Sequence, residues 1–177
     1  TDMLELLQKI TNQLEQYQIP YMVSGSVALI AYTTPRTTRD IDIVIELRTR
    51  DIEHLMGIFR NNSYIHRPAI EDAIQKQSIF NVIDFETGYK IDFVVRKNTP
   101  YRILEFERKI RTQAFGFEMN MVTIEDLIIS KLIWIQDLQS DRQMEDIQNL
   151  WQSSLVDKGY VLDWCNQLKL NAYNLLT

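Results

Sequence analysis

The stretch VSGSVALIAYTTPRTTRDIDIVIE, residues 23–46, decides how the rest of the chain is read. Its end, DIDIVIEL, alternates β-branched residues with acids. That pattern predicts a strand with Ile41, Ile43 and Ile45 on the core face and Asp40 and Asp42 together on the other. Two carboxylates held side by side repel, and unless a cation lies between them one has its pKa raised. A fold gains nothing from that arrangement, whereas a hard divalent cation removes the conflict by taking oxygen ligands. For a bare D-x-D pair a solvated strand face is the commoner explanation, so the spacing needs support from elsewhere in the chain.

Three features supply it. Asp92 lies in KIDFVV, a second alternating run whose Ile91, Phe93 and Val95 face the core and leave Asp92 on the opposite side. Three carboxylates on neighbouring strands can hold two metals roughly 3.5–4 Å apart, the arrangement that clamps a phosphoryl group. Asp84 in VIDFE competes for the third place and ranks second, because it lies close to a turn where acids are ordinary.

Ahead of the pair, Gly25 and Ser26 join a short strand to a helix; glycine lets backbone amides approach a phosphate, and a helix start favours anions. A plain turn with a serine cap explains the same residues. Finally, Lys131 is the only charge between Leu127 and Gln136 in LIISKLIWIQ, where Leu127, Ile128, Leu132, Ile133, Trp134 and Ile135 cover most of the helix. A buried ammonium needs a partner, either a structural acid or a triphosphate and the metal-site carboxylates.

Working outward, DMLELLQKITNQLEQYQ has helical spacing and the proline of IPYMV stops it; SVALIAY is a short helix and TTPRTT a loop. TRDIEHLMGIFR returns to helix, NNSYIHRP is a polar loop, and AIEDAIQKQ is a short helix. SIFNVIDFETGYKIDFVVR reads as two strands joined by a tight turn at residues 86–88, and KIRTQAFGFEMNMV as a hairpin around Gly116. From Thr123 onward the chain is helical. TIEDLIISKLIWIQDLQ starts at a threonine cap with Asp126 three residues on, and SDRQMEDIQNLWQ and VLDWCNQLKLNAYNLL follow. The expected fold is α+β: a mixed sheet flanked by helices over residues 1–122, with a helical region over residues 123–177 packed on it.

At 177 residues and 45% hydrophobic content the chain can bury one sizeable core. Its net charge of −5 argues against coating nucleic acid or anionic membrane non-specifically, since that binding runs on neutralised phosphates. Positive charge does thicken at Arg96, Lys97, Arg102, Arg108, Lys109 and Arg111, facing only Glu105 and Glu107 locally, which leaves room for a basic groove beside the commoner solvated face. Cys165 is the single cysteine and reads as a small buried hydrophobe. With two histidines, His54 and His66, neither a zinc site nor a Cys–His nucleophile is convincing. No run approaches the roughly 20 apolar residues of a membrane span, so the expectation is a soluble, cytoplasmic protein with no membrane partner.

Together, Gly25-Ser26, RTTRDIDIVIE from Arg36 and KIDFVV around Asp92 resemble the nucleotidyltransferase superfamily that includes DNA polymerase beta. Within it, the R-x-T-x-D-x-D form at Arg36, Thr38, Asp40 and Asp42, with TIEDLIISKL and RQMEDIQNL, is similar to the AbiEii/AbiGii toxin family, over about residues 20–150. The resemblance implies transfer of a nucleoside monophosphate from an NTP to an acceptor, with Asp40, Asp42 and Asp92 binding Mg2+ or Mn2+ and Asp92 helping to deprotonate the acceptor hydroxyl. Gly25, Ser26, Arg36, Thr38 and Lys131 would hold the nucleotide and its phosphates, and Asp146 matches the first acid of the family's final motif. Glu145 and Asn149 depart from that motif, standing where a basic residue and a second aspartate are usual.

The expected function is therefore metal-dependent nucleotidyl transfer to a hydroxyl of an RNA 3′ end, a protein side chain or a small molecule, in that order. A toxin–antitoxin component with a cognate antitoxin is the setting the resemblance implies. The rival is a non-catalytic module of the same fold, which binds a partner without turnover.

Overall fold

The computed structural model describes residues 2–33 and 37–177, apart from the side chain of Asp2. Arg36, and with it the expected role of that guanidinium in holding phosphate, lies outside the described residues.

The alternating runs form one sheet. Among the described residues its seven strands are β1 (Tyr21–Ser24), β2 (Asp40–Ile45), β3 (Ser63–Tyr64), β4 (Ile79–Asp84), β5 (Lys90–Val95), β6 (Ile110–Ala114) and β7 (Phe117–Met121), in the order β3-β4-β5-β2-β1-β7-β6. Pairing is parallel between β2 and β5 and between β1 and β7, and antiparallel elsewhere, so the sheet is mixed as expected. Among the described residues eight α-helices flank it: α1 (Asp2–Gln16), α2 (Gly25–Tyr32), α3 (Ile52–Phe59), α4 (Arg67–Lys76), α5 (Pro100–Glu107), α6 (Ile124–Asp137), α7 (Asp141–Trp151) and α8 (Lys158–Gln167).

The period of two sorts β2, β4 and β5 into a buried and an open side. Ile41, Ile43, Ile91 and Phe93 are fully buried, and Phe93 packs against Phe59 of α3 and Phe80 of β4. On the same side Leu7, Ile10 and Leu14 of α1 are 0%, 1% and 0% exposed. Each such side chain contributes about 1.5–3 kcal/mol on burial. On the other side of the sheet α2 packs against β1 and β2, with α6 against α2, and Met22 of β1 is fully buried. Thr123 caps α6, its hydroxyl accepting the Asp126 N–H at 3.1 Å, as the threonine-start pattern predicts.

Several local expectations need correction. Pro20 does not stop α1; the helix ends at Gln16, and Gln18, at φ 56°, turns the chain so that the Ile19 N–H donates to the Leu14 carbonyl at 2.9 Å. Helix α5 falls where only a basic stretch was read, and strand β3 where a polar loop was expected. Trp134 is 55% exposed, so α6 is less fully enclosed than its apolar run implies. Among the described residues no helix is long and apolar enough to cross a membrane.

Candidate active site

Register places the candidate residues in rows across the open side of the sheet. Ser24, Asp42, Asp92 and Asn81 stand opposite one another on β1, β2, β5 and β4; the next row holds Asp40, Lys90, Ile83 and Tyr64. Directly opposed residues of neighbouring strands share a face, so Asp42 and Asp92 point to the same side although they come from distant parts of the chain. Asp40 is about half exposed, and Asp92 is largely sheltered.

Helix α2 closes on Asp42 from the other side. Gly25 sits at φ +58°, a left-handed conformation that side chains resist, and a Cβ there would fall inside the Asp42 carboxylate and 2.7 Å from its Cβ. The backbone of Ser26 acts on that carboxylate too, holding its pKa down against the effect of burial. The Ser26 and Thr38 hydroxyls hydrogen-bond each other at 3.0 Å, and the Thr38 hydroxyl donates to the Asp40 carbonyl at 3.2 Å. Ser26 and Thr38 thus fix the start of β2 against the start of α2, a structural task beside the phosphate role expected of them.

The charges are under strain. Burial pushes the Asp42 carboxyl up to about 6; the Asp92 charge and, less strongly, Asp40 push the same way, while the Ser26 backbone and the Lys131 ammonium oppose. Asp92 is also raised, chiefly by burial, against the pull of Lys90. The Lys90 ammonium lies 3.4 Å from Asp92 Oδ2 and 4.0 Å from Asp40 Oδ1, and it is itself raised, first of all by the Asp92 charge.

As the side chains stand, with Lys90 drawn between two of them, no group of three His, Cys, Asp or Glu converges on one metal position among the described residues. The donor set nonetheless fits a hard divalent cation: three carboxylates on two adjacent strands, of which Asp42 and Asp92 are raised, already attracting the nearest cation the chain can supply.

On α6, Lys131 is 8% exposed; its ammonium donates to Gln143 Oε1 at 2.8 Å and lies 3.4 Å from Asp146 Oδ2, on α7. The structural acid is Asp146, and the ammonium is also near enough to lower the Asp42 carboxyl. Glu145 and Asn149, the departures from the family motif, are exposed on α7. Asp84 is buried on the opposite side, where its carboxylate accepts the Thr87 N–H at 2.9 Å and hydroxyl at 2.6 Å, so its place is in the turn.

The basic stretch is not a groove of free charge. Arg96 pairs with Glu46 at 3.1 Å, Arg102 with Glu105 at 2.9 Å, Arg108 with Asp126 at 3.0 Å and Glu125 at 3.3 Å, and Arg111 with Glu15 at 2.8 Å. Lys109 donates to the Phe106 carbonyl at 3.2 Å and lies over its ring. The acids that neutralise it come mostly from outside the stretch. Sequence reasoning also passed over Lys90, although its place two residues before Asp92 puts both on one face.

A mixed sheet with paired carboxylates on one strand, a third on its parallel neighbour and a Gly-Ser helix start against them defines the nucleotidyltransferase class. The chain belongs to the family described as nucleotidyltransferase of unknown function (DUF6036), which matches residues 1–172. Among solved structures it is similar to ANT(2″)-Ia in complex with adenylyl-2″-tobramycin, with a TM-score of 0.65 and 15% identity over 96% of this chain and 99% of that one. It is also similar to the lincosamide antibiotic adenylyltransferase LnuA, bound to lincomycin, with a TM-score of 0.56 and 13% identity over 82% and 94%. A third is an antigenic nucleotidyltransferase-like protein from Paracoccidioides brasiliensis, with a TM-score of 0.57 and 15% identity over 94% and 89%. At these identities the likeness is one of fold. No curated protein matches the chain by sequence.

Proposed function

We propose that this protein transfers a nucleoside monophosphate from an NTP to a hydroxyl acceptor, with Asp40, Asp42 and Asp92 holding Mg2+ or Mn2+. The observation that carries the reading is the pairing of Asp42 with Asp92 across β2 and β5, with the Gly25-Ser26 helix start pressed against Asp42. A bound divalent cation would neutralise charge on the reacting phosphates and orient them.

The chain's own groups do the rest. Gly25 lets the start of α2 close on Asp42, which brings the helix-start amides to the metal-site carboxylate where phosphate would bind, and Lys131, with Asp146 and Gln143 fixing its ammonium, faces the charge of the leaving pyrophosphate. Asp92 accepts the acceptor's hydroxyl proton. The acceptor oxygen then bonds to the α-phosphorus as the bond to the bridging oxygen breaks and pyrophosphate departs. Positioning and charge neutralisation supply the catalysis; no covalent enzyme intermediate is needed.

The ion pairs of Arg96, Arg102, Arg108 and Arg111 remove the reason for ranking RNA first among acceptors. Tobramycin and lincomycin, named with the similar structures, bring hydroxylated small molecules forward. An AbiEii-like toxin with a cognate antitoxin, acting in the cytoplasm, is the narrower form of the proposal and rests on the sequence motifs alone. The test is radiolabelled NTP with Mg2+ against total RNA, protein and small-molecule fractions, for the native chain and Asp42→Asn. Label transfer lost in the variant is expected; native protein that binds neither NTP nor transfers label overturns the reading.

The non-catalytic alternative has one observation in its favour: Lys90 already occupies the space between Asp40 and Asp92. Partner binding indifferent to Asp42→Asn would support it.

A further inference from the structure

Beyond the carboxylates the open side of the sheet continues, uncovered, across β5, β4 and β3. Register carries the Asp42–Asp92 row on to Asn81 and the Asp40–Lys90 row on to Ile83 and Tyr64, while Ile79 stands opposite Val94 in the row after. Ile79 is 51% exposed, Ile83 40% and Tyr64 50%, and Asn81 is exposed. The same side of β1 is closed, with Met22 at 0%. A strand that exposes two isoleucines around an asparagine on one face, beside a neighbour's buried-side phenylalanine core, presents a second apolar surface.

We propose that this bare face is the acceptor platform: Tyr64, Ile79 and Ile83 hold the apolar flank of a small hydroxylated molecule, Asn81 hydrogen-bonds one of its hydroxyls, and its reacting hydroxyl is delivered to Asp92. The proposal rests on the transfer reading above and adds the place of the acceptor and the residues that hold it.

Charge selects this occupant. A polynucleotide needs cations along its phosphates. Among the described residues these rows contain one cation, Lys90, and it lies against Asp92 and Asp40. Arg39 is one residue out of register and lies over Tyr89. A second copy of the chain would bring its own three carboxylates against these, which repel. An uncharged or amine-bearing molecule with one apolar side meets neither obstacle, and sits in the row that leads to Asp92.

The experiment uses the full chain and the exposed-face variants Asn81→Ala, Tyr64→Ala and Ile83→Asp, with folding checked by thermal melting. Radiolabelled NTP and Mn2+ are given with a cell extract separated into RNA, protein and ultrafiltrate, and NTP binding is followed by calorimetry. Label should enter the ultrafiltrate. Each variant should lower that transfer by about tenfold or more, the scale set by one missing apolar contact in a binding pocket, while binding NTP as the native chain does. Label in RNA or protein, or unimpaired transfer by all three variants, overturns the platform and leaves the transfer reading standing. If the native chain labels no fraction, the transfer reading fails, and isoleucine-methyl NMR with hexyl glucoside, with an oligoadenylate as control, decides the platform separately. Ile79 and Ile83 signals that move with the glucoside alone uphold it; signals that stay still, follow the oligonucleotide or change with protein concentration overturn it.

Discussion

The Lys90 ammonium and the Asp92 carboxylate stand 3.4 Å apart on the same face of β5, so the chain brings its own cation to the third carboxylate of the candidate site. A divalent ion binding there has to displace that ammonium. Lys90→Met is expected to tighten Mn2+ binding by about three- to tenfold, the range for a partly exposed charge close to the site. Calorimetric titration of Mn2+ measures it; unchanged or weaker binding would show that Lys90 does not compete with the metal.

Gly25→Ala should be far more damaging than an exposed glycine-to-alanine change. The methyl group meets the Asp42 carboxylate, and the backbone is held at φ +58°. The expected loss is about 2 kcal/mol or more in urea unfolding, from backbone strain and crowding together. Gly57, where an added Cβ meets nothing within 4 Å, is the control: Gly57→Ala should be neutral or stabilising.

Asp126 ties α6 to its surroundings. Its carboxylate is fully buried and accepts hydrogen bonds from the Tyr101, Tyr160 and Thr123 hydroxyls and from Arg108 Nε, at 2.9 to 3.0 Å. Asp126→Ala strands these donors and should cost about 3–5 kcal/mol. Chemical denaturation tests this, and a loss below about 1 kcal/mol would mean the donors find other partners.

Glu105 makes stability depend on pH in the less common direction. Burial raises its carboxyl from 4.5 to about 7, more than Arg102 lowers it, and Asp126 adds to the rise. Between those values the folded chain binds more protons than the unfolded chain, so stability falls as pH rises from 4.5 through about 7. Below that window the group is neutral in both states and carries no penalty. Glu105→Gln should flatten this part of the profile, measured by urea unfolding across the window; an unaltered slope would assign it to other groups.

The strands and the carboxylate faces were legible because a period of two survives in any context: DIDIVI and KIDFVV state which side each aspartate takes. Their meeting was not, since it depends on β5 lying parallel to β2 in one particular register. Lys90 belongs to the same run and became significant only once that register set it opposite Asp40. Helix α5 escaped notice because its buried side includes Glu105, which breaks the apolar pattern, although Thr99-Pro100 supplied a helix start. The arginines from Arg96 to Arg111 misled for the opposite reason. Charge density along a chain says nothing of acids such as Glu15, Glu46 and Asp126 that arrive from elsewhere. Gly25 reads as a simple turn until α2 is seen to approach Asp42 within a methyl's reach.

The parallel pairing of β2 with β5 also has a kinetic consequence. Parallel neighbours cannot be joined by a tight turn, so these strands meet only after the segment containing α3, α4 and the β3–β4 pair has closed into a long loop. Asp42 and Asp92 approach in that same closing step, and their repulsion rises as the backbone bonds form. The candidate catalytic face thus acts as a brake on its own assembly, and refolding time is where a divalent cation would first make itself felt.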